Sequence, residues 1–136
     1  MDDAHPARIP YVGYLVLDDD EPYLTASECV SCGALYFDRR NACASCGKQE
    51  FQSRRLASDG KVRAYTIVHR STPDVAVPYV SAVVDLDGGG TVKANLVGVK
   101  PVPDDIGLGM KVTLTTFPVG TDRNGTQAIA FGYRKP

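Results

Sequence analysis

Downstream of Lys61 the chain alternates apolar and polar residues with a period of two, and almost nothing repeats at helical spacing. Val62, Ala64, Thr66 and Val68 mark one face of a first strand, and Val80, Ala82, Val84 and Leu86 mark a second. Asp87-Gly88-Gly89-Gly90 reads as a tight turn into Val92, Ala94 and Leu96, which makes a hairpin of the second and third strands. Prolines and glycines break the pattern between Pro101 and Gly109, where Asp104 to Gly107 fits a single helical turn. Val112, Leu114 and Thr116 begin a fourth strand that Pro118 is expected to close. After the turn at Thr121–Gly125, Ala128, Ala130 and Gly132 mark one face of a fifth. Five strands, with the helix-like piece between the third and fourth, follow the order of an OB-fold barrel; an SH3-like barrel is the nearest rival.

Upstream, Tyr11 to Leu17 is a β-like run halted by Asp18-Asp19-Asp20-Glu21 and Pro22. Tyr23 to Glu28 is expected to return as the second strand of a hairpin, and Phe51 to Leu56 to form a strand ending in a turn at Ser58-Asp59-Gly60. Met1 to Pro10 reads as an extended or loosely ordered arm. The opposite phase of the barrel strands also carries large apolar residues: Tyr65, Ile67, Val83, Val97, Val99, Phe117, Ile129, Phe131 and Tyr133. Some must pack under neighbouring segments. The rest predict an exposed apolar patch of the kind that docks onto another protein.

Between these regions lies a stretch with its own chemistry, Glu28 to Gly47, which reads ECVSCGALYFDRRNACASCG. Cys29, Cys32, Cys43 and Cys46 are the only cysteines, set as two C-x2-C pairs ten residues apart, each followed at once by a glycine. Two thiolates at that spacing turn onto one metal, and a second pair supplies the opposite edge of a tetrahedron. Gly33 and Gly47 allow the sharp turn with positive φ that each pair needs. Ala34 to Phe37 reads as a short strand and Asp38 to Asn41 as the turn that brings the chain back. The pattern predicts a zinc ribbon with one structural ion. A single iron in a rubredoxin-like site uses the same ligands, and spacing alone does not separate the two. Two disulfides are disfavoured because nothing points to secretion, and a redox C-x-x-C is ordinarily one pair beside a βαβ unit. A closed four-thiolate site has no open position, so its metal is expected to fold the ribbon and catalyse nothing.

The 136 residues suit one domain, or one domain with a small appendage. Net charge is −1, with −4 in residues 1–60 and +3 in residues 61–136, a modest asymmetry. The acidic N-terminal stretch does not read as a signal peptide, and no apolar run approaches the roughly 20 residues that span a bilayer. These features predict a cytoplasmic protein with no membrane partner. No catalytic constellation is visible. His5 lies in the arm and His69 in a predicted strand with no nucleophile to serve, since every cysteine is committed to metal. Asp85 and Asp87 read as turn residues.

Several segments together resemble a known family: small proteins in which a rubredoxin-like zinc ribbon precedes an OB-fold, and which accompany thiolases and related acyl-CoA enzymes. The resemblance rests on CVSCG and CASCG, then GKVRAYTIVHR (Gly60–Arg70), PYVSAVVDLDGG (Pro78–Gly89), ANLVGV (Ala94–Val99), IGLGMKVTL (Ile106–Leu114) and the terminal FGYRKP. It implies an all-β fold, a ribbon followed by a five-stranded OB-fold barrel. The expected divisions are an arm and hairpin over 1–28, the ribbon over 29–56 and the barrel over 57–136. It further implies a non-catalytic subunit bound to a thiolase-superfamily protein: a thiolase, a hydroxymethylglutaryl-CoA synthase, a steroid side-chain aldolase or an acetyltransferase. The family's usual helical lead-in is replaced here by the predicted hairpin from Tyr11 to Glu28.

In such a complex, coenzyme A offers a pyrophosphate and a 3′-phosphate, which arginines grip bidentately. Arg39, Arg40, Arg54 and Arg55, with Lys48, cluster in sequence around the second cysteine pair and are the candidate phosphate contacts. Their other reading is a solvated face, or a contact with acidic residues of the partner. The alternative function is single-stranded nucleic-acid binding, since ribbons and OB barrels both serve it. Near-neutral charge, no tryptophan, and 7 tyrosines and 4 phenylalanines scattered along the chain count against a nucleic-acid partner.

Overall fold

The computed structural model describes residues 8–17, 21–37, 40–73 and 75–136. Ten strands account for its regular structure, with one 3₁₀ turn at Pro103–Asp105. They are β1 (Arg8–Pro10), β2 (Leu15–Val16), β3 (Tyr23–Cys29), β4 (Leu35–Tyr36), β5 (Phe51–Arg55), β6 (Asp59–Val68), β7 (Tyr79–Leu86), β8 (Thr91–Leu96), β9 (Lys111–Thr121) and β10 (Gln127–Arg134).

The period-two pattern builds a closed barrel from β6 to β10. β6, β7 and β8 form an antiparallel meander, with Val62 opposite Val84 and Val84 opposite Val92. β10 pairs in parallel with β8 where Tyr133 meets Leu96, and runs antiparallel to β9. β9 closes the ring on β6, with Val112 opposite Gly60. The 3₁₀ turn falls between β8 and β9, the third and fourth barrel strands. The SH3-like alternative is set aside.

A second sheet is built on β3, which pairs antiparallel with β2, β4 and β5. The hairpin expected before the ribbon is present, with Leu15 opposite Leu24. Of the expected Tyr11–Leu17 run only Leu15–Val16 is strand. The arm is more ordered than its prolines suggest, because Arg8–Pro10 adds to the barrel as a parallel strand beside β10. The acidic cluster at Asp18–Asp20 lies outside the described residues. Leu15, Leu24, Ala26 and Leu56 from this second sheet pack into one core with Val62, Val84, Val112 and Tyr133 of the barrel. At about 25 cal/mol per Å² of apolar surface, that shared burial docks the ribbon firmly on the barrel.

Several expectations need correction, and a β-bulge explains those in β6. Arg63 is an extra residue in β6 between Val62 and Ala64, and Val119 is an extra residue in β9 opposite the Ala128–Ile129 step of β10. A bulge inserts one residue and so swaps which face each later side chain occupies. Past the first bulge, Tyr65 and Ile67 turn towards the core while Ala64 and Thr66 are exposed. In β10 the inward set is Ile129, Phe131 and Tyr133, not Ala128, Ala130 and Gly132 alone. The patch expected from those nine residues is smaller than the pattern implies, since Ile129 and Tyr133 are buried and the other seven are only partly exposed. The large apolar side chains that do face solvent include Ile9, Tyr11, Leu108 and Val119.

Pro118 does not close the fourth strand. β9 runs on to Thr121, and there it pairs with β10 alone, so its other edge tolerates a residue with no N–H. Gly60 sits inside β6 rather than in a turn. A Cβ there would lie 2.5 Å from the Asp85 carbonyl oxygen, so close strand approach is what demands glycine. His69 lies just past the end of β6 and is exposed rather than packed.

Candidate metal centre

β3 delivers Cys29 at its last residue, and the next three residues turn back so that the Gly33 N–H donates to the Cys29 carbonyl at 2.9 Å. The second knuckle repeats the geometry, with the Gly47 N–H donating to the Cys43 carbonyl at 2.8 Å. Both glycines have positive φ, +80° and +78°. The Val30 N–H donates to the Glu50 carbonyl at 3.0 Å and ties the two knuckles together. β4 and β5 flank β3, so a three-stranded base aims both loops at one point.

The four sulfur atoms all lie within 4.8 Å of one another. Cys29 and Cys46 are 3.5 Å apart and Cys32 and Cys43 3.6 Å apart, and all four cysteines are free thiols. Zinc–sulfur bonds of about 2.3 Å at tetrahedral angles set the sulfurs about 3.8 Å apart, so the cluster has the size the ion needs. Cys29 and Cys43 are buried and Cys32 and Cys46 exposed, one of each per knuckle. Among the described residues this is the only group of three or more metal-ligating side chains brought together.

The thiols are electrostatically uneven. The Tyr36 hydroxyl, 3.5 Å from Cys43 Sγ, and then the Cys46 and Ser45 amides bring the Cys43 thiol down to about 6. The Cys32 backbone amide is the main cause holding Cys29 below the usual thiol range. Cys46 goes the other way: against the pull of the Lys48 amide, burial and the three neighbouring thiols push it up to about 12. Four thiols crowded at this distance cannot all ionise, and a divalent cation resolves the conflict by taking every one as thiolate. The Tyr36 hydroxyl also accepts from the Ala44 N–H at 3.1 Å, which holds it beside Cys43.

The arginines are dispersed. Arg39 lies outside the described residues. Arg54 and Arg55 are neighbours on β5 and so point to opposite faces. Arg54 donates to the Glu28 carboxylate at 3.0 Å and to the Gly88 carbonyl at 2.6 Å. Gln52, and after it Arg54, hold the Glu28 carboxyl below its usual range. Arg55 stacks on Tyr23, 4.1 Å from the ring centre, and Arg40 on Tyr36 at 4.5 Å. Arg40 also lines a groove of about 400 Å³ with Ser27, Asn41, Gln49 and Phe51. Sequence reasoning missed Glu28, although its place one residue before the first cysteine, on the opposite face of β3, marks it as the side chain aimed away from the metal.

Two family models match the chain in series: a rubredoxin-like zinc ribbon domain described for ChsH2 over residues 19–52, and the ChsH2 C-terminal OB-fold domain over residues 53–117. A DUF35 domain-containing scaffold protein of Methanocaldococcus jannaschii is 32% identical over 82% of this chain and 79% of its own length. The benzoylsuccinyl-CoA thiolase subunit BbsA of Geobacter metallireducens is 30% identical over 87% of this chain and 78% of its own. Among solved structures, one described as an Ltp2-ChsH2(DUF35) aldolase is similar at a TM-score of 0.63 and 30% identity, over 83% of this chain and 84% of that one. With the four-cysteine cluster, the ribbon match identifies the site as a structural zinc centre. Ribbon, barrel and their order along the chain thus agree with the matched models, and the chain belongs to the ChsH2-type (DUF35) family of zinc-ribbon and OB-fold proteins.

Proposed function

We propose that this chain is a non-catalytic accessory subunit of a thiolase-superfamily enzyme that makes or breaks carbon–carbon bonds in acyl-CoA thioesters. The observation that carries the reading is likeness over most of both chains to a thiolase subunit and to a chain of a solved aldolase. The chemistry of the chain agrees. Cys29, Cys32, Cys43 and Cys46 come together in one cluster, so no thiol stays free as a nucleophile once they hold a zinc ion. A zinc ion held by these four thiolates would staple the ribbon and would keep no open position for chemistry. Relatives named as a thiolase subunit and as scaffold proteins favour this reading over single-stranded nucleic-acid binding. Cytoplasmic placement belongs to the same reading, because four cysteines given to one metal suit a reducing compartment.

Docking falls to the apolar surface left uncovered. Ile9, Tyr11 and Val119 are exposed, and Tyr11 and Val119 border a groove of about 270 Å³ floored by Val12, Phe117, Ala130 and Phe131. Co-expressed with a thiolase-fold protein encoded beside it, the chain should elute with that protein from a sizing column at high salt, since an apolar contact is not screened. A chain that elutes alone under those conditions overturns the reading.

Contact with coenzyme A is a finer part of the proposal. The polar groove beside Arg40, with Phe51 in its wall, is its best support, having donors for phosphate and a ring for an adenine. Replacing Arg39 and Arg40 by alanine should raise the KM of the complex for acyl-CoA while assembly persists. Loss of assembly instead makes these arginines interface residues.

A further inference from the structure

We propose that Glu28 and Arg54 form a latch through which the metal centre and the Asp87–Gly90 turn of the barrel stabilise each other. Strand β3 carries the arrangement, because alternation sends consecutive side chains to opposite faces. Cys29 points to the metal cluster, and Glu28, one residue earlier, points to the barrel. The Glu28 carboxylate is held at both oxygens: Gln52 Nε2 donates to Oε1 at 2.8 Å and Arg54 Nη1 to Oε2 at 3.0 Å. The other end of the same guanidinium, Nη2, donates to the Gly88 carbonyl at 2.6 Å. One planar fork therefore bridges the ribbon and a barrel turn that lies 34 residues further along the chain.

The turn is shaped to receive it. Gly88, Gly89 and Gly90 all have positive φ, at 80°, 125° and 101°. A Cβ on Gly89 would stand 3.5 Å from the Arg54 guanidinium and 3.7 Å from Leu35, and one on Gly90 would meet Leu56 and Leu35. The three successive glycines are thus more than a hairpin signal, since all three hold φ values that side chains rarely adopt and Gly89 and Gly90 lie within van der Waals reach of the ribbon. Leu35 belongs to β4, the strand between the two knuckles, so the turn touches both sides of β3.

The bridge makes a reciprocal demand. If the ordered ribbon holds the turn, the turn must in the same measure of free energy hold the ordered ribbon, and loss of the bridge should loosen both. The test uses the zinc-loaded full-length chain and reads zinc transfer to a chromophoric chelator beside amide exchange of residues 86–91. Arg54→Ala is expected to speed both by about three- to fivefold, the scale of a partly exposed ion pair. Gly89→Ala, which strains the barrel turn at a φ of +125° and leaves every ribbon residue in place, should speed zinc transfer as well. Arg54→Lys, which keeps the charge and loses the fork, should fall between. Wild-type zinc transfer in Gly89→Ala and Arg54→Lys overturns the latch even if Arg54→Ala fails to fold. Faster exchange at 86–91 with zinc transfer unchanged also overturns it, leaving Arg54 a local support of the turn.

Discussion

In the barrel, Val62, Val84, Val112 and Tyr133 are sealed from solvent by one another. In the two knuckles of the ribbon, among the described residues, nothing is buried except Cys29 and Cys43. One region is stabilised by apolar area and the other by metal ligands, although Leu24, Ala26 and Leu56 root both in a common core. A loop region of this size has too little core to order itself, which is where a structural metal ordinarily takes over. The difference predicts that each region can be damaged while the other stands.

The largest effect should come from Cys43→Ser. Elemental analysis should fall from about one zinc per chain to near none, and amide protection should vanish over residues 29–50, because zinc affinity is the folding energy of such a site. Protection in β7 and β8 should persist. Next is Val84→Ala, at a fully enclosed position. It should lower stability in denaturant by about 2 kcal/mol while zinc content stays unchanged. Zinc lost together with barrel stability would mean the regions are not separable.

Acidification separates the regions without mutation. Cys43 in the fold sits at about 6, below the value near 8.5 of an unfolded thiol. Its stabilising share is complete above about pH 8.5 and lost as pH falls through about 6, where protons compete with the metal. Zinc release to a chelator should rise steeply below about pH 6 while the tyrosine signal of the barrel persists. The smallest effect is expected from Tyr133→Phe. The Tyr133 hydroxyl is buried with no hydrogen-bond partner among the described residues, and burial pushes its pKa up. Removing it should change stability by less than about 0.5 kcal/mol or raise it.

The ribbon was legible because its ligands are chemically singular. Four cysteines at two fixed spacings with following glycines leave few geometries, and the sulfurs meet where spacing placed them. Strand existence and order in the barrel were legible from alternation. Its inward face was not, since the bulge at Arg63 in β6 reverses phase without a residue signature and brings Tyr65 and Ile67 inward, while in β10 both phases carry apolar residues, Ala128 and Ala130 beside Ile129 and Tyr133. The Glu28–Arg54–Gly88 bridge joins residues 26 and 34 positions apart, and no local pattern announces it. The four arginines were grouped by sequence proximity alone, and strand alternation separates Arg54 from Arg55.

The most direct test of the accessory-subunit account is acyl-CoA turnover, measured for the zinc-loaded chain alone, for a thiolase-fold protein encoded beside it, and for the two co-expressed. The account predicts no turnover by the chain alone and full activity only for the co-expressed pair. Turnover by the partner-free chain, or a thiolase-fold protein whose activity and stability are indifferent to it, would contradict the account.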